Sequence, residues 1–211
     1  MTPAETYLAA LRGALNAEGN AALAHARGAR QSQLDVLRAV YPHAPATLVD
    51  LLRRVNGTYH QTYGDTRIGV MVLGSDVGSY PYYLLSIDQI VEEAADGFGG
   101  ESIADIYDLD AFAPGELFDP RIDTMLPMGR RLCFSHCMNN GGSSRLYVDF
   151  DPAPGGKPGQ VIRYLHDPDS YTVLADDFDQ YLAQLVAGGF AFLEDQDELE
   201  LHWQAPSRKG D

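Results

Sequence analysis

The alternation of apolar and polar residues is most informative between residues 155 and 189, where it predicts a strand, a turn, a second strand and a helix. Apolar side chains occupy both faces of residues 160–165, which indicates an interior strand. Asp, Pro and Ser at 166–170 predict a hairpin turn into the strand at 171–174. Apolar residues then recur at helical spacing, at Phe178, Leu182, Leu185 and Val186. The segment is therefore an antiparallel hairpin with a helix laid on one face.

Helical spacing also dominates the first quarter of the chain. It predicts helices over residues 4–16, 32–41 and 45–55. The second helix is expected to begin at a Ser32 cap and to bury three residues, Leu34, Leu37 and Val40. Residues 17–30 fit either a helix or a linker, and the pattern leaves both open.

After residue 57 the pattern changes to that of strands. Candidate strands lie at residues 67–73, 82–85, 125–128, 131–137 and 145–150. The Asn-Asn-Gly-Gly run at 139–142 predicts a hairpin between the last two. Ser86 and Gln89 fit a capping box before a helix, and a short helix is expected near 103–109. Residues 190–204 have the pattern of a final acidic helix.

Charge separates the middle of the chain from the rest. The sequence has 30 acidic and 15 basic side chains, for a formal net charge of −15. Eleven of those acids and one base, Arg121, lie between residues 88 and 123, which we call the acidic segment. The electrostatic field of this negative charge repels nucleic-acid phosphates and anionic lipids and attracts basic proteins. An acidic surface that serves solubility alone is the alternative explanation.

The sequence also bears on the compartment. No apolar run approaches the roughly 18 residues that cross a bilayer. The first 15 residues lack the basic and long apolar regions of a secretory signal. The sequence has two cysteines, Cys133 and Cys137, which are too few and too close in sequence to stabilise a chain of this size by disulfide bonds. This cysteine content is typical of a reducing compartment. We expect a cytoplasmic protein that binds neither membranes nor nucleic acid.

Few residues suggest catalysis or metal binding. Cys133, His136 and Cys137 invite a zinc site, but a fourth ligand is missing and, on a regular strand, His136 faces away from both thiols. A thiol nucleophile paired with His60 or His166 lacks a local signature. Asp149 and Asp151 share a strand end, although a loop-capping Asp151 is the simpler explanation. We therefore expect no catalytic residue, no metal and no cofactor.

Two groups of side chains are candidates for binding a partner. The first comprises acids of the acidic segment, namely Glu92, Glu93, Asp105 and Asp108. The second comprises tyrosines beside predicted loops, a residue type that often anchors interfaces, namely Tyr59, Tyr63, Tyr80 and Tyr82. Some of these tyrosines are expected in the core instead.

Several short motifs follow one another along the chain. They are VNG at 55–57, LLSIDQI at 84–90, LPMG at 126–129, YVDFDP at 147–152, GQV at 159–161 and LADDFDQYL at 174–182. In this order they resemble the SUKH superfamily, the Smi/Knr-like proteins that include bacterial immunity proteins of polymorphic toxin systems and fungal cell-wall-assembly regulators. The resemblance covers about residues 30–185.

The resemblance implies an α+β fold, with a mostly antiparallel or mixed β-sheet flanked by helices, and no enzyme activity. It divides the chain into an N-terminal helical extension (1–29), a Smi/Knr-like domain (30–185), and a C-terminal acidic helix and tail (186–211). It also implies a protein partner. A monomer or weak homodimer that neutralises a basic toxin, such as a nuclease, fits the negative charge of the chain best. A regulatory or scaffold protein with an endogenous partner is the second hypothesis, and a hydrolase is the third.

Overall fold

The computed structural model describes residues 1–78, 80–95, 97–113, 115–139 and 142–193. Its α-helices are α1 (Pro3–Ala14), α2 (Ala17–His25), α3 (Gln31–Val40), α4 (Ala46–Arg54), α5 (Ile87–Ala95), α6 (Gly97–Gly100), α7 (Ile103–Ile106) and α8 (Phe178–Ala187). Its strands are β1 (Gln61–Tyr63), β2 (Thr66–Ile68), β3 (Met71–Leu73), β4 (Tyr82–Leu84), β5 (Leu132–Asn139), β6 (Gly142–Asp149), β7 (Gln160–Leu165) and β8 (Ser170–Ala175). Three short 3-10 helices lie at Leu109–Ala111, Met128–Arg130 and Ala191–Leu193. The predicted α+β class is confirmed.

The strands form two antiparallel sheets. One contains only β1 and β2, and the other has six strands in chain order from β3 to β8. Every residue of β7 is buried, which confirms the interior strand predicted from its two apolar faces. The hairpin from β5 to β6 is also confirmed, although its turn at 140–141 lies outside the described residues. The final acidic helix falls largely on residues 194–211, which are also outside them.

The N-terminal helices belong to the same hydrophobic core as the sheet. Thr2 and Glu5 form a capping box at the start of α1, with Pro3 as its first residue. The buried side of α1, including Tyr7 and Leu11, packs against α4 and α8. The Tyr7 hydroxyl donates a hydrogen bond to the Val72 carbonyl oxygen. The N-terminal extension is thus tied directly to the sheet.

The structure settles the question left open at residues 17–30. Residues 17–25 are helix α2, which begins at an Asn16 cap. The chain then runs extended beside the end of α4, where the Ala29 amide donates to the Leu52 carbonyl at 2.9 Å and the Asn56 amide donates to the Arg27 carbonyl at 2.8 Å. Both outcomes therefore occur, in succession.

Four predictions of local structure were wrong. Helix α3 begins at Gln31 rather than after Ser32, and Val40 is 41% exposed although Leu34 and Leu37 are buried. The single strand expected at 67–73 is two strands in different sheets, β2 and β3, separated by residues 69–70. No strand forms at 125–128, where Pro127 makes one isolated bridge and a 3-10 helix follows.

The junction between α4 and α5 explains the motifs at 55–57 and 84–90. The Asn56 side-chain oxygen accepts a hydrogen bond from the Ile87 amide at 3.0 Å. Gly57 has φ +91°, a conformation that favours glycine, and lies against Ser86. The Ser86 hydroxyl accepts from the Gln89 amide and the Gln89 side chain accepts from the Ser86 amide, which confirms the capping box. The end of one helix thereby positions the start of the next.

Helices and the acidic segment cover the two faces of the large sheet. On one face, Phe134 packs edge-on against Phe178 of α8, with ring centroids 5.3 Å apart. On the other, α5 packs on β5. The acidic segment ends beside the outermost strand, where the backbones of Phe118 and Tyr171 form a parallel bridge. Among the described residues, no helix is long and apolar enough to cross a membrane.

Candidate protein-binding surface

The acidic segment presents many unneutralised carboxylates. Seven of its acids are exposed, namely Asp88, Glu92, Glu101, Asp105, Asp108, Asp110 and Glu116. None of the seven forms an ion pair with another residue that the structure describes. Their charges are therefore directed at solvent.

Two of the predicted acids have no structural role that the described contacts reveal, and a third has one. Glu92 and Asp108 are exposed, and Asp108 makes no capping hydrogen bond to the 3-10 helix that follows it. Asp105 caps α7, since its carboxylate accepts from the Ser102 hydroxyl at 2.7 Å and from the Ser102 amide at 2.8 Å. These hydrogen bonds lower the pKa of Asp105. Glu92 and Asp108 remain the better candidates for partner binding.

Glu93 does not fit the prediction that it belongs to an exposed binding surface. Its side chain is 19% exposed, and its Oε1 lies 3.1 Å from His136 Nε2. Its other oxygen, Oε2, lies 3.3 Å from Arg145 Nε. Burial opposes ionisation of Glu93, but the hydrogen bond and charge of His136 and the charge of Arg145 outweigh it and lower the pKa. Glu93 therefore holds α5 to the sheet.

A β-bulge changes the predicted arrangement of the cysteines and His136. Cys133 pairs with Tyr147 and Ser135 pairs with Leu146, so Phe134 is an extra residue in β5. The extra residue reverses the alternation of side chains, and Cys133 and His136 face the same side. Donor atoms of Glu93, Cys133 and His136 all lie within 4.8 Å of one another. The prediction that His136 faces away from Cys133 was wrong.

The thiols are poor nucleophiles in this setting. Cys133 and Cys137 are both buried. Burial raises the pKa of Cys133 far above its ordinary range and that of Cys137 to about 12. Both are neutral thiols at neutral pH, and a thiolate is the reactive form. The geometry therefore does not favour the hypothesis of a cysteine nucleophile.

Asp149 and Asp151 do not form a pair of carboxylates. Asp149 is fully buried, and its Oδ1 lies 3.2 Å from Nε of the equally buried Arg131. Burial raises the pKa of the Asp149 carboxyl, and the Arg131 charge limits that rise. Asp151 is exposed and pairs with Arg130 at 3.0 Å. Each carboxylate has its own arginine, so the arrangement is structural.

The predicted tyrosines differ in exposure. Tyr82 was wrongly placed on a binding surface, because it lies in β4 with 0% exposure. Tyr63 is half-buried and donates to the Gly57 carbonyl at 2.8 Å, which supports the turn there. Tyr80 is half-buried against the core. Of these four tyrosines, Tyr59 is the one whose contacts among the described residues place it in a cluster of partly accessible rings.

This aromatic cluster consists of Tyr59, His60 and Tyr83. Their ring centroids lie 5.0 to 5.7 Å apart. His60 is exposed and has φ +51°, an uncommon conformation outside glycine. His60 was missed as a member of this cluster, because only the folded contact between the loop at 57–60 and β4 brings the rings together. Rigid aromatic side chains at a surface are typical anchors of protein interfaces.

Comparison with known proteins fits this fold. A model of the SMI1 / KNR4 family (SUKH-1) matches residues 43–184. The chain belongs to this family. The match contains α4, α5, the large sheet and most of α8, and it leaves α1 to α3 outside. A search of curated proteins found no match. The SUKH-1 assignment confirms the resemblance seen in the motifs, and it extends to protein binding in general without specifying a partner.

Proposed function

We propose that this SUKH-1 protein is a non-catalytic immunity protein that binds and neutralises a basic toxin domain in the cytoplasm. The observation that carries the proposal is the group of seven exposed acids in the acidic segment that have no ion-pair partner among the described residues. Three of the seven accept hydrogen bonds within the fold, Asp88 from the Gln33 side chain, Asp105 from Ser102 and Glu116 from the Ala113 amide. Their charges are still not neutralised by a basic side chain that the structure describes, and such charges are available to an incoming basic partner.

The physical advantage of such a surface is the rate of binding. Opposite net charges steer diffusional encounter and raise the association rate well above that of neutral partners. A toxin that acts on nucleic acid needs a basic surface to hold phosphates. An acidic inhibitor can cover that surface and exclude the substrate.

The aromatic cluster supplies the second element of an interface. Charge steers a partner but contributes less to the final affinity than buried aromatic contacts do. Tyr59, His60 and Tyr83 are held against one another before binding, so little side-chain entropy is lost on association. We assign steering to the acids and anchoring to the aromatic cluster.

Co-expression with any basic toxin domain that a neighbouring gene encodes tests the function. The chain is expected to restore growth of a host that makes the toxin, and to co-purify with it as a stoichiometric complex. A chain that neither protects nor binds that domain would overturn the proposal. Recovery of a housekeeping protein at stoichiometric level, without protection, would favour the regulatory or scaffold function instead.

A further inference from the structure

We propose that Glu93, Cys133 and His136 form a binding site for a thiophilic divalent cation, with Zn²⁺ as the best fit. The three side chains come from α5 and β5, and their donor atoms lie within 4.8 Å of one another. Thiolate, imidazole and carboxylate are the ligands that zinc takes in proteins. The sequence argued against this site on two premises, a missing ligand and an outward His136. The bulge at Phe134 removes the second premise, and Glu93 takes the place of Cys137 as third ligand, so that the fourth position falls to a water molecule.

The separation between two of the donor atoms suits a common metal. Glu93 Oε1 and His136 Nε2 are 3.1 Å apart. Two ligand atoms bound to tetrahedral zinc at about 2.0 Å lie about 3.3 Å from each other. Glu93 Oε1 and His136 Nε2 would therefore need to move by only a few tenths of an ångström to bind the same zinc ion. The Cys133 sulfur lies within 4.8 Å of the other two donor atoms and reaches a shared metal ion by a rotation of its side chain.

His136 Nε2 can make only one of its two polar contacts as a hydrogen bond at a time. It faces Glu93 Oε1, which only accepts, and Arg145 Nε at 3.3 Å, which only donates. A neutral ring nitrogen either donates or accepts, so one of these two contacts lacks a hydrogen bond. A cation between Nε2 and Oε1 uses a lone pair from each. The positive charge of Arg145 opposes it, and the carboxylate and thiolate together offset that charge.

A small cavity offers a position for a fourth ligand. Its volume is about 10 Å³, and its lining includes two of the proposed ligands, Glu93 and Cys133, together with Tyr147 and Arg131, but not His136. This is about the space that one water molecule needs. The Tyr147 hydroxyl is buried and has no hydrogen-bond partner among the described residues. A metal-bound water in the cavity would supply that partner.

The site would tie α5 to β5. Binding requires the Cys133 thiol to lose its proton to solvent, so each metal ion taken up releases one proton from the thiol. Because the unfolded chain does not hold these three residues together, the metal stabilises the fold in proportion to its free concentration. The role is structural, and it is independent of the proposed toxin binding.

Titration of the metal-free full-length protein with Co²⁺ tests the site. We expect one equivalent to bind, with a sulfur-to-cobalt charge-transfer band and the strong visible bands of tetrahedral Co²⁺, and Zn²⁺ to displace it. Cys133→Ser is expected to abolish the charge-transfer band. Cys137→Ser is the matched control, because Cys137 is also buried in β5 but lies outside the cluster, and it is expected to keep the spectrum.

Glu93→Gln provides a second test if Cys133→Ser does not fold. It keeps the size of the side chain and is expected to weaken Co²⁺ binding at least tenfold. In the unmodified protein, Zn²⁺ is expected to raise the thermal midpoint. Absence of a charge-transfer band in the unmodified protein would overturn the proposal. A band that survives Cys133→Ser and is lost in Cys137→Ser would do the same.

Discussion

Gly57 lies so close to Ser86 that a Cβ atom on Gly57 would come within 2.5 Å of the Ser86 amide nitrogen. The contact joins the loop after α4 to the residue that caps α5. Backbone atoms on both sides make it difficult to relieve by a side-chain movement. The VNG motif is thus explained by packing as well as by the positive φ.

Gly57→Ala is expected to destabilise the fold much more than Gly64→Ala. Both glycines have positive φ, at +91° and +61°, but an added Cβ at Gly64 meets open space. Gly64→Ala should lower the free energy of unfolding by about 1 kcal/mol, the usual penalty for a non-glycine residue in the left-handed conformation. Gly57→Ala should cost several times as much, because it also displaces the α5 cap. Equal shifts of the urea midpoint would show that the contact with Ser86 does not constrain the junction.

Asp149→Asn is expected to lower the free energy of unfolding by about 3 to 5 kcal/mol, because it leaves the Arg131 charge buried without its counter-ion. Asp151→Asn makes the same chemical change two residues away, in an exposed pair, and should cost at most about 1 kcal/mol. Chemical denaturation of both variants measures the difference. If Asp149→Asn lowered the free energy of unfolding no more than Asp151→Asn does, the backbone acceptors of Arg131 alone would be enough to satisfy its charge.

Leu182→Ala tests the packing of α8. Leu182 is 2% exposed, and its loss should leave a cavity that costs about 2 to 5 kcal/mol. Gln184→Ala, on the exposed side of the same helix, should change the free energy of unfolding by no more than about 0.5 kcal/mol. Comparable urea midpoints for the two variants would contradict the placement of α8 on the sheet.

The fold was predictable where local patterns agree with tertiary packing. The two-sided apolar pattern of β7 and the Ser86–Gln89 capping box depend on neighbouring residues, and both were recovered. The division of residues 67–73 into two strands was not predicted, because a continuous apolar run does not show that its halves belong to different sheets. Val40 has the spacing of a buried residue but is the last residue of α3 and is 41% exposed.

The binding surface was less predictable, because exposure depends on contacts between distant residues. Glu92 and Glu93 are adjacent and identical in sequence terms, yet one faces solvent and the other faces His136. Tyr82 and Tyr83 differ in the same way, since alternate residues of β4 face opposite sides. The Phe134 bulge has no reliable sequence signal, so the proximity of Cys133 and His136 required the fold.

The rate of association with the toxin domain tests the central claim most directly. The test variant carries Glu92→Gln, Asp108→Asn and Asp110→Asn, three exposed acids of the acidic segment. The control carries Asp35→Asn, Asp65→Asn and Asp179→Asn, which removes the same charge from exposed sites elsewhere. Glu93 and Asp105 are left intact because each has a structural role.

Stopped-flow association should be measured at low and at physiological salt. We predict that the rate for the unmodified chain falls about tenfold or more between the two, with little change in dissociation. The test variant should associate several-fold more slowly than the control at low salt and should show a weaker salt dependence. A salt-independent rate, or equal rates for the test variant and the control, would contradict steering by the acidic segment.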